Sequence, residues 1–272
     1  VLFLSGIVAL FRWEMLLKAL KVHLPLRRIV ASFSGGMFFN LFLPSTIGGD
    51  LMRSFDLASH TQKPKEVIAT VLLDRLSGYV GLVFLVLTSL LLGIGRGMLW
   101  DKSVLFSLAV ISGLLLFLLF ILFNKFLYSK ISGFLNRSGA GRIRESLKDL
   151  HQEIHYFRGH KRVIIRNLAF SVFIQAAGPL SLFVIASSLG LKIDLIYFFV
   201  FLPIVGAITL LPISIGGLGL REATTALFFA RAGVGTQSAI AMSLLNSFFL
   251  FVCGGLGGLI YVCIVRPHKR QR

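Results

Sequence analysis

Charged residues, and acidic ones above all, are scarce in this sequence of 272 residues. Only 14% of the residues are charged, and 11 Asp and Glu stand against 28 Lys and Arg. With 56% hydrophobic residues and a mean hydropathy of +0.86, a soluble domain of this length would lack the polar surface that it needs. The apolar residues come in runs near the length that spans a bilayer, about 20 residues. This pattern predicts an all-α polytopic membrane protein.

Cysteines and recognisable catalytic motifs are also scarce. Cys253 and Cys263 lie in the last apolar run, and their spacing points them to different faces of a helix, so no disulfide framework is implied. His151 and His155 have the i,i+4 spacing of metal ligands, but no third ligand has a telling position. The sequence has no Walker A motif, no dinucleotide fingerprint and no nucleophile elbow. We therefore predict no catalytic residue, no cofactor and no metal site.

The excess of basic residues gives a net charge of +17. In a soluble protein this excess would suggest a nucleic-acid partner, but here it is typical of cytoplasmic loops and of attraction to anionic headgroups. Basic residues follow the first apolar run (12–28), fill 124–162 and end the chain (266–272). We predict that these three regions are cytoplasmic and that 93–103 and 190–194 lie outside. The first apolar run has only 11 residues, and we expect its helix to begin before Val1.

Two segments must then enter and leave the membrane on the same face. Segment 29–66 begins and ends inside, and segment 192–236 begins and ends outside. Each contains an apolar run, a proline, a pair of glycines and a return. A re-entrant hairpin satisfies this arrangement, and the two hairpins would enter from opposite faces.

The two breaks align without gaps at an offset of 168 residues, with the pattern P-x-[ST]-I-G-G-x-x-x-R. The first copy has Pro44, Thr46, Gly48, Gly49 and Arg53, and the second has Pro212, Ser214, Gly216, Gly217 and Arg221. We predict an inverted-topology repeat in a single transmembrane domain, 1–272. Its parts are repeat 1 (1–92), a connecting helix (104–123), a basic loop with an amphipathic helix (124–162), repeat 2 (163–265) and a basic tail (266–272). Such repeats place the substrate near broken helices.

The chemistry of the motif favours an anionic substrate. Proline ends the incoming helix, and Gly-Gly permits a turn and a close approach. The outgoing helix presents free N–H groups that attract an anion, and Arg53 and Arg221, about one turn further on, can fork onto a phosphate. Alternatively, each motif is a plain hairpin turn, in which Arg53 pairs with Asp50 and Arg221 with Glu222. We predict that the motif residues and these two acids line a cavity for a phosphate-bearing lipid headgroup.

Asp74 and Arg75, in "LLDRLSGY", add two charges inside an apolar helix. Adjacent helical residues point about 100° apart, so either one faces the cavity and the other a hairpin group, or the two lock the first hairpin to this helix. The second copy has Met242 and Ser243 at these positions, so the charges break the repeat. The spacing G-x-x-x-G, 254–258, predicts close helix packing, within the chain or at a dimer face.

Three motifs, "NLFLPSTIGGDLMRSFDLA", "VLLDRLSGYVGL" and "LPISIGGLGLREATTALFF", resemble the transmembrane region of the lysylphosphatidylglycerol synthase family. That family includes the flippase domain of MprF and stand-alone flippase-like proteins. The resemblance, over about 32–265, implies a bacterial or archaeal cell-membrane protein that binds and flips an anionic phospholipid or lipid-linked substrate. The lining candidates that it carries over are Arg53, Asp74, Arg75, Arg221 and Glu222.

Full-length synthases also carry a soluble aminoacyltransferase domain, and this chain ends seven residues after Val265. We therefore expect no enzymatic activity, although a separate lipid-modifying enzyme is a possible partner. Two alternatives stay open from the sequence. The first is a subunit that binds a lipid without moving it, in lipid or polyisoprenoid-glycan assembly, and the second is a small-anion transporter.

Overall fold

The computed structural model describes residues 1–43, 47–95, 161–209 and 217–265, with isolated positions between 102 and 113 and at 214. Regular structure in these parts of the chain is helical throughout. The predicted connecting helix is described only at 104–107, 109–110 and 113, which are helical. The predicted amphipathic helix, the rest of the basic loop up to 160, and the tail 266–272 lie outside the described residues.

Eight α-helices make up the described chain, four on each side of the long gap. The first four are α1 (Leu2–Ala19), α2 (Leu26–Phe39), α3 (Ile47–Ala58) and α4 (Pro64–Gly95). The second four are α5 (Lys161–Ser188), α6 (Leu195–Thr209), α7 (Leu220–Phe229) and α8 (Thr236–Val265), with a 3-10 turn, Ala230–Ala232, before α8. Three of these helices, α4, α5 and α8, are long and apolar enough to cross a membrane. The chain is thus an all-α, multi-pass membrane protein, as the composition predicts.

The short helices α2 and α3 pack side by side in opposite directions. At one end, Arg28 Nη2 lies 2.8 Å from Asp56 Oδ1. At the other end, the backbone N–H of Gly49 donates to Asn40 Oδ1 over 2.8 Å. The start of α2 therefore lies beside the end of α3, and the chain returns to the level at which it entered.

Helices α6 and α7 form a similar antiparallel pair. The rings of Phe198, near the start of α6, and Phe229, at the end of α7, have centroids 5.0 Å apart. At the opposite end, Thr209 lies beside Gly217. Gly217 and Gly219 both have φ of +78°, a conformation that costs glycine nothing. These two positions delay the start of α7 to Leu220, whereas α3 begins within its own copy of the motif, at Ile47.

Two apolar cores hold the helices together, and the outer surface is apolar as well. The first core lies around Trp13 and Leu17, and the second around Phe198, Phe201 and Phe229. Large apolar side chains also point outward, among them Phe3, Leu91, Phe248 and Leu259. An exposed apolar surface on long helices is what a hydrocarbon environment requires.

Close packing of α2 against α8 explains the glycines near the end of the chain. A Cβ added at Gly257 would lie 2.8 Å from the backbone oxygen of Ser34, and Gly254 and Gly258 lie against Leu41 and Phe38. Small residues let two helix backbones approach in this way. The predicted G-x-x-x-G packing is confirmed, and of the two alternatives the structure contains the contact within the chain.

Candidate functional site

Asp74 lies at the centre of a buried ion-pair network in the first half of the chain. Arg12 donates from Nε to Asp74 Oδ1 over 2.7 Å and from Nη1 to Ser171 Oγ over 2.8 Å. Arg53 donates from Nη2 to Asp74 Oδ2 over 2.9 Å. Arg12, Arg53 and Asp74 are each 5% exposed. Both oxygens of this carboxylate are therefore committed to guanidinium groups, which joins α1, α3, α4 and α5.

Asp50 extends this network by one more arginine. Its Oδ2 accepts a hydrogen bond from Arg75 Nε, and its Oδ1 lies 3.1 Å from Arg53 Nε. The Arg53 guanidinium also lies 4.9 Å from the ring centroid of Trp13, close enough for a cation–π interaction. Three arginines and two aspartates thus form one network with an excess of one positive charge. Charges at this depth are costly unless they are paired.

The network answers the question that the sequence left open about Asp74 and Arg75. The two side chains do not pair with each other, since Asp74 binds Arg53 and Arg75 binds Asp50. Both contacts hold α3 against α4, which is the locking arrangement. Arg12, by contrast, was counted with the basic residues that mark the cytoplasmic side, whereas the structure buries it within α1. Its partner Asp74 is 62 residues away, and the one signal in the sequence was a charge between two apolar stretches.

In the second half, Arg221 and Glu222 meet through a hydroxyl group. Ser247 Oγ donates to Glu222 Oε1 over 3.1 Å and accepts from Arg221 Nη1 over 3.3 Å. The other carboxylate oxygen of Glu222 accepts the backbone N–H of Gly219 over 2.6 Å, at the start of α7. Glu222 therefore sits over the positive end of α7, and Arg221 is directed to the other side of Ser247.

A cavity of about 230 Å³ lies on that side, between α2, α6, α7 and α8. Its wall brings together the residues just before the first motif and those of the second motif. The lining residues are Met37, Asn40, Leu41, Thr209, Gly217, Arg221, Ser247, Leu250, Phe251, Cys253 and Gly254. Among them Arg221 is the one charged residue. The arrangement offers a single guanidinium, three neutral polar side chains and an apolar wall, which suits an amphipathic anion.

The other residues of the two motifs have different positions. Gly49 packs against Gly36, where a Cβ added to Gly36 would lie 2.8 Å from the Gly49 backbone oxygen. Gly48 lies in the first turn of α3, and Ser214 is half-buried. Pro44, Thr46, Pro212 and Gly216 lie outside the described residues. Of the predicted lining residues, the described cavity contains Gly217 and Arg221, whereas Asp50, Arg53, Asp74 and Arg75 belong to the ion-pair network.

Three polar residues of the cavity were not among the predicted lining residues: Asn40, Thr209 and Ser247. Each stands at a helix end or within an apolar run, where a single polar residue is usually a packing contact. Asn40 and Thr209 are separated by about the repeat offset, at the ends of α2 and α6, and this matching position was the available signal.

The chain is similar to known proteins over most of its length. The sequence model of the family described as "Lysylphosphatidylglycerol synthase TM region" matches residues 1–258. Two curated relatives are both described as "UPF0104 membrane protein", from Methanothermobacter thermautotrophicus. One is 23% identical, with 94% of this chain and 82% of the relative covered, and the other is 23% identical, with 92% and 77% covered. No solved structure matches the chain.

Proposed function

Since the chain belongs to the lysylphosphatidylglycerol synthase transmembrane family, we propose that it binds a phosphate-bearing lipid headgroup beside Arg221 and moves it between leaflets. The observation that carries this proposal is the placement of one guanidinium in an otherwise uncharged cavity between two antiparallel helix pairs. A guanidinium presents a planar fork of N–H donors that matches phosphate oxygens. In the proposal the chain itself carries out no covalent chemistry.

The wall of the cavity favours a lipid over a small anion. Leu250 and Phe251 line it, and Phe251 is 37% exposed on the outer side of α8. One wall therefore continues onto a surface that faces hydrocarbon. A lipid can place its headgroup beside Arg221 while its chains stay in the bilayer, whereas a small ion gains nothing from such an opening.

We also propose that the two antiparallel pairs are re-entrant hairpins of an inverted repeat. Helices α2 and α3 have 14 and 12 residues, so they reach about 21 and 18 Å at 1.5 Å per residue, less than the hydrocarbon thickness of about 30 Å. Helices α6 and α7, with 15 and 10 residues, are equally short. Such paired half-helices support a chain that enters and leaves on one face.

The packing between the two halves supports the repeat. A shift of 168 residues brings α2 to 194–207, where α6 runs Leu195–Thr209, and brings α4 to 232–263, where α8 runs Thr236–Val265. The contacts are exchanged in the same way, because α2 packs on α8 and α6 packs on α4. Each short pair thus lies against the long helix of the other half, as expected for two interlocked repeats.

The orientation in the proposal follows the positive-inside rule. Lys21, Arg27 and Lys65 are exposed at the end of the molecule where α2 begins and α3 ends, and Lys63 Nζ donates to the Lys21 backbone oxygen over 3.2 Å. We propose that this basic end and the C-terminus face the cytoplasm of a cell membrane. An anionic inner leaflet would attract these lysines and arginines.

Native mass spectrometry of the purified protein, together with transport in vesicles, tests the function. We expect phospholipid to stay bound through detergent purification and a fluorescent anionic phospholipid to change leaflets faster in vesicles that contain the protein. Bound lipid without faster movement would indicate a non-translocating subunit. Faster release of a trapped small anion, with no lipid bound, would indicate an anion transporter.

A further inference from the structure

The charges of the cavity restrict which headgroup it accepts, and this inference rests on the proposed function. The lining has one cationic residue, Arg221, and no acidic one. The two neighbouring segments outside the description, 44–46 and 210–216 without 214, read PST and LLPI-IG, and neither contains a charged residue. Glu222 lies behind Ser247, where its two oxygens accept hydrogen bonds from Gly219 and Ser247. The wall therefore provides one positive charge.

One guanidinium matches one negative charge. A phosphodiester carries a single negative charge, whereas a phosphomonoester carries about −1.5 to −2 at neutral pH, and a diphosphate carries more. Any further charge would be left without a partner in the cavity, and an unpaired charge is costly away from water. An ammonium group on the headgroup has the same difficulty, since the lining offers it no carboxylate.

The remaining polar groups of the wall suit hydroxyl groups. Thr209 Oγ1 donates to the Gly206 backbone oxygen over 2.8 Å, which leaves its lone pairs to accept from a ligand. Asn40 offers an amide on the opposite side of the cavity, where its Oδ1 is engaged by Gly49. The volume of about 230 Å³ equals that of about eight water molecules at about 30 Å³ each. It holds a compact headgroup and leaves acyl chains outside.

We propose that the cavity selects a monoanionic phosphodiester headgroup that bears hydroxyl groups and no amine, the class to which phosphatidylglycerol belongs. Phosphatidylethanolamine, aminoacylated phosphatidylglycerol and polyprenyl diphosphate carry charges that the wall does not match. Selection is by charge count at Arg221 and by hydroxyl contacts at Thr209 and Asn40.

The test is a competition measured by native mass spectrometry on the full chain. Equal amounts of phosphatidylglycerol, phosphatidylethanolamine, lysyl-phosphatidylglycerol and polyprenyl diphosphate are offered to the delipidated protein. We expect phosphatidylglycerol to be bound at least about tenfold more tightly than each of the others, the factor that one charged hydrogen-bonded contact supplies. Arg221→Gln should abolish this preference, whereas Arg231→Ala, which removes an exposed arginine outside the cavity, should keep it.

A gain-of-preference variant guards against simple unfolding. Thr209→Asp adds a carboxylate to the wall and should move the preference toward the lipids that bear an amine. Equal binding of all four lipids, or a preference for an amine or a diphosphate in the wild type, overturns the inference but leaves lipid binding intact. Absence of any difference in lipid binding between the wild type and Arg221→Gln overturns the proposed function as well. Competition by soluble glycerophosphoglycerol as strong as that of the lipid upholds the headgroup class and refutes a lipid as the molecule carried.

Discussion

Arg53 Nη2 donates a hydrogen bond of 2.9 Å to Oδ2 of Asp74. The equivalent positions in the second motif are Arg221 and Met242, and Met242 is an apolar residue with 0% exposure. The first arginine thus has a carboxylate against it and belongs to the packing of α3 on α4. The second has no carboxylate at the matching position and lies in the cavity wall. Variants at the two arginines should therefore separate folding from binding.

Asp74→Asn should destabilise the protein more than Arg53→Met does. Removal of Arg53 leaves two matched pairs, Arg12 with Asp74 and Arg75 with Asp50. Removal of the Asp74 charge leaves three arginines with one carboxylate. Breaking a buried pair in this way costs about 3–5 kcal/mol, and Met at position 53 should lose clearly less because the apolar stem still packs against Trp13. Thermal unfolding in detergent and the yield of monodisperse protein measure the difference, and an equal or reversed order would contradict the charge count.

The sequence predicted the helical class, the paired motifs and the close packing of the C-terminal glycines, because each is a local or periodic pattern. It did not predict the partners of Arg12 and Asp74, since two residues 62 positions apart meet only when α1 packs on α4. The motif alone could not tell Arg53 from Arg221, because their difference is set by position 74 and its counterpart 242, in other helices. The composition of the cavity wall was missed for the same reason: it is assembled from the ends of four helices.

Gly257→Ala should destabilise the packing of α2 on α8, and Gly255→Ala should not. A Cβ at Gly257 would lie 2.8 Å from the Ser34 backbone oxygen, which cannot move aside, whereas a Cβ at Gly255 has nothing within 4 Å. Overpacking of this kind costs about 1–3 kcal/mol, while replacing an exposed helical glycine by alanine is neutral or favourable by up to about 1 kcal/mol. Unfolding temperatures of the two single variants check this, and similar losses in both would show that the contact with Ser34 is unimportant.

Cysteine labelling should find the two halves of the proposed repeat open to opposite sides. In a background with Cys253 and Cys263 replaced by Ser, Arg27→Cys should react with a membrane-impermeant maleimide only from the cytoplasmic side. Lys192→Cys, in the turn between α5 and α6, should react only from the outside. Both native positions are exposed, so accessibility is not limiting. Labelling of both cysteines from one side would refute the inverted arrangement.

Arg221→Lys should reduce lipid movement only partly, and Arg221→Ala should remove most of it. Lysine keeps the positive charge but loses the planar fork that binds two phosphate oxygens, and alanine loses both. Neither change removes a partner from the Asp74 network, so the folded yield should stay near that of the wild type. The measurement is the rate at which a fluorescent anionic phospholipid changes leaflets in vesicles with matched amounts of protein. Arg231→Ala is the control, because its guanidinium lies over the Phe228 ring, 5.2 Å from the centroid, outside the cavity. Wild-type rates in well-folded Arg221→Ala would assign this arginine to packing alone, since a cavity that still moves lipid without its single charge cannot depend on a guanidinium–phosphate pair.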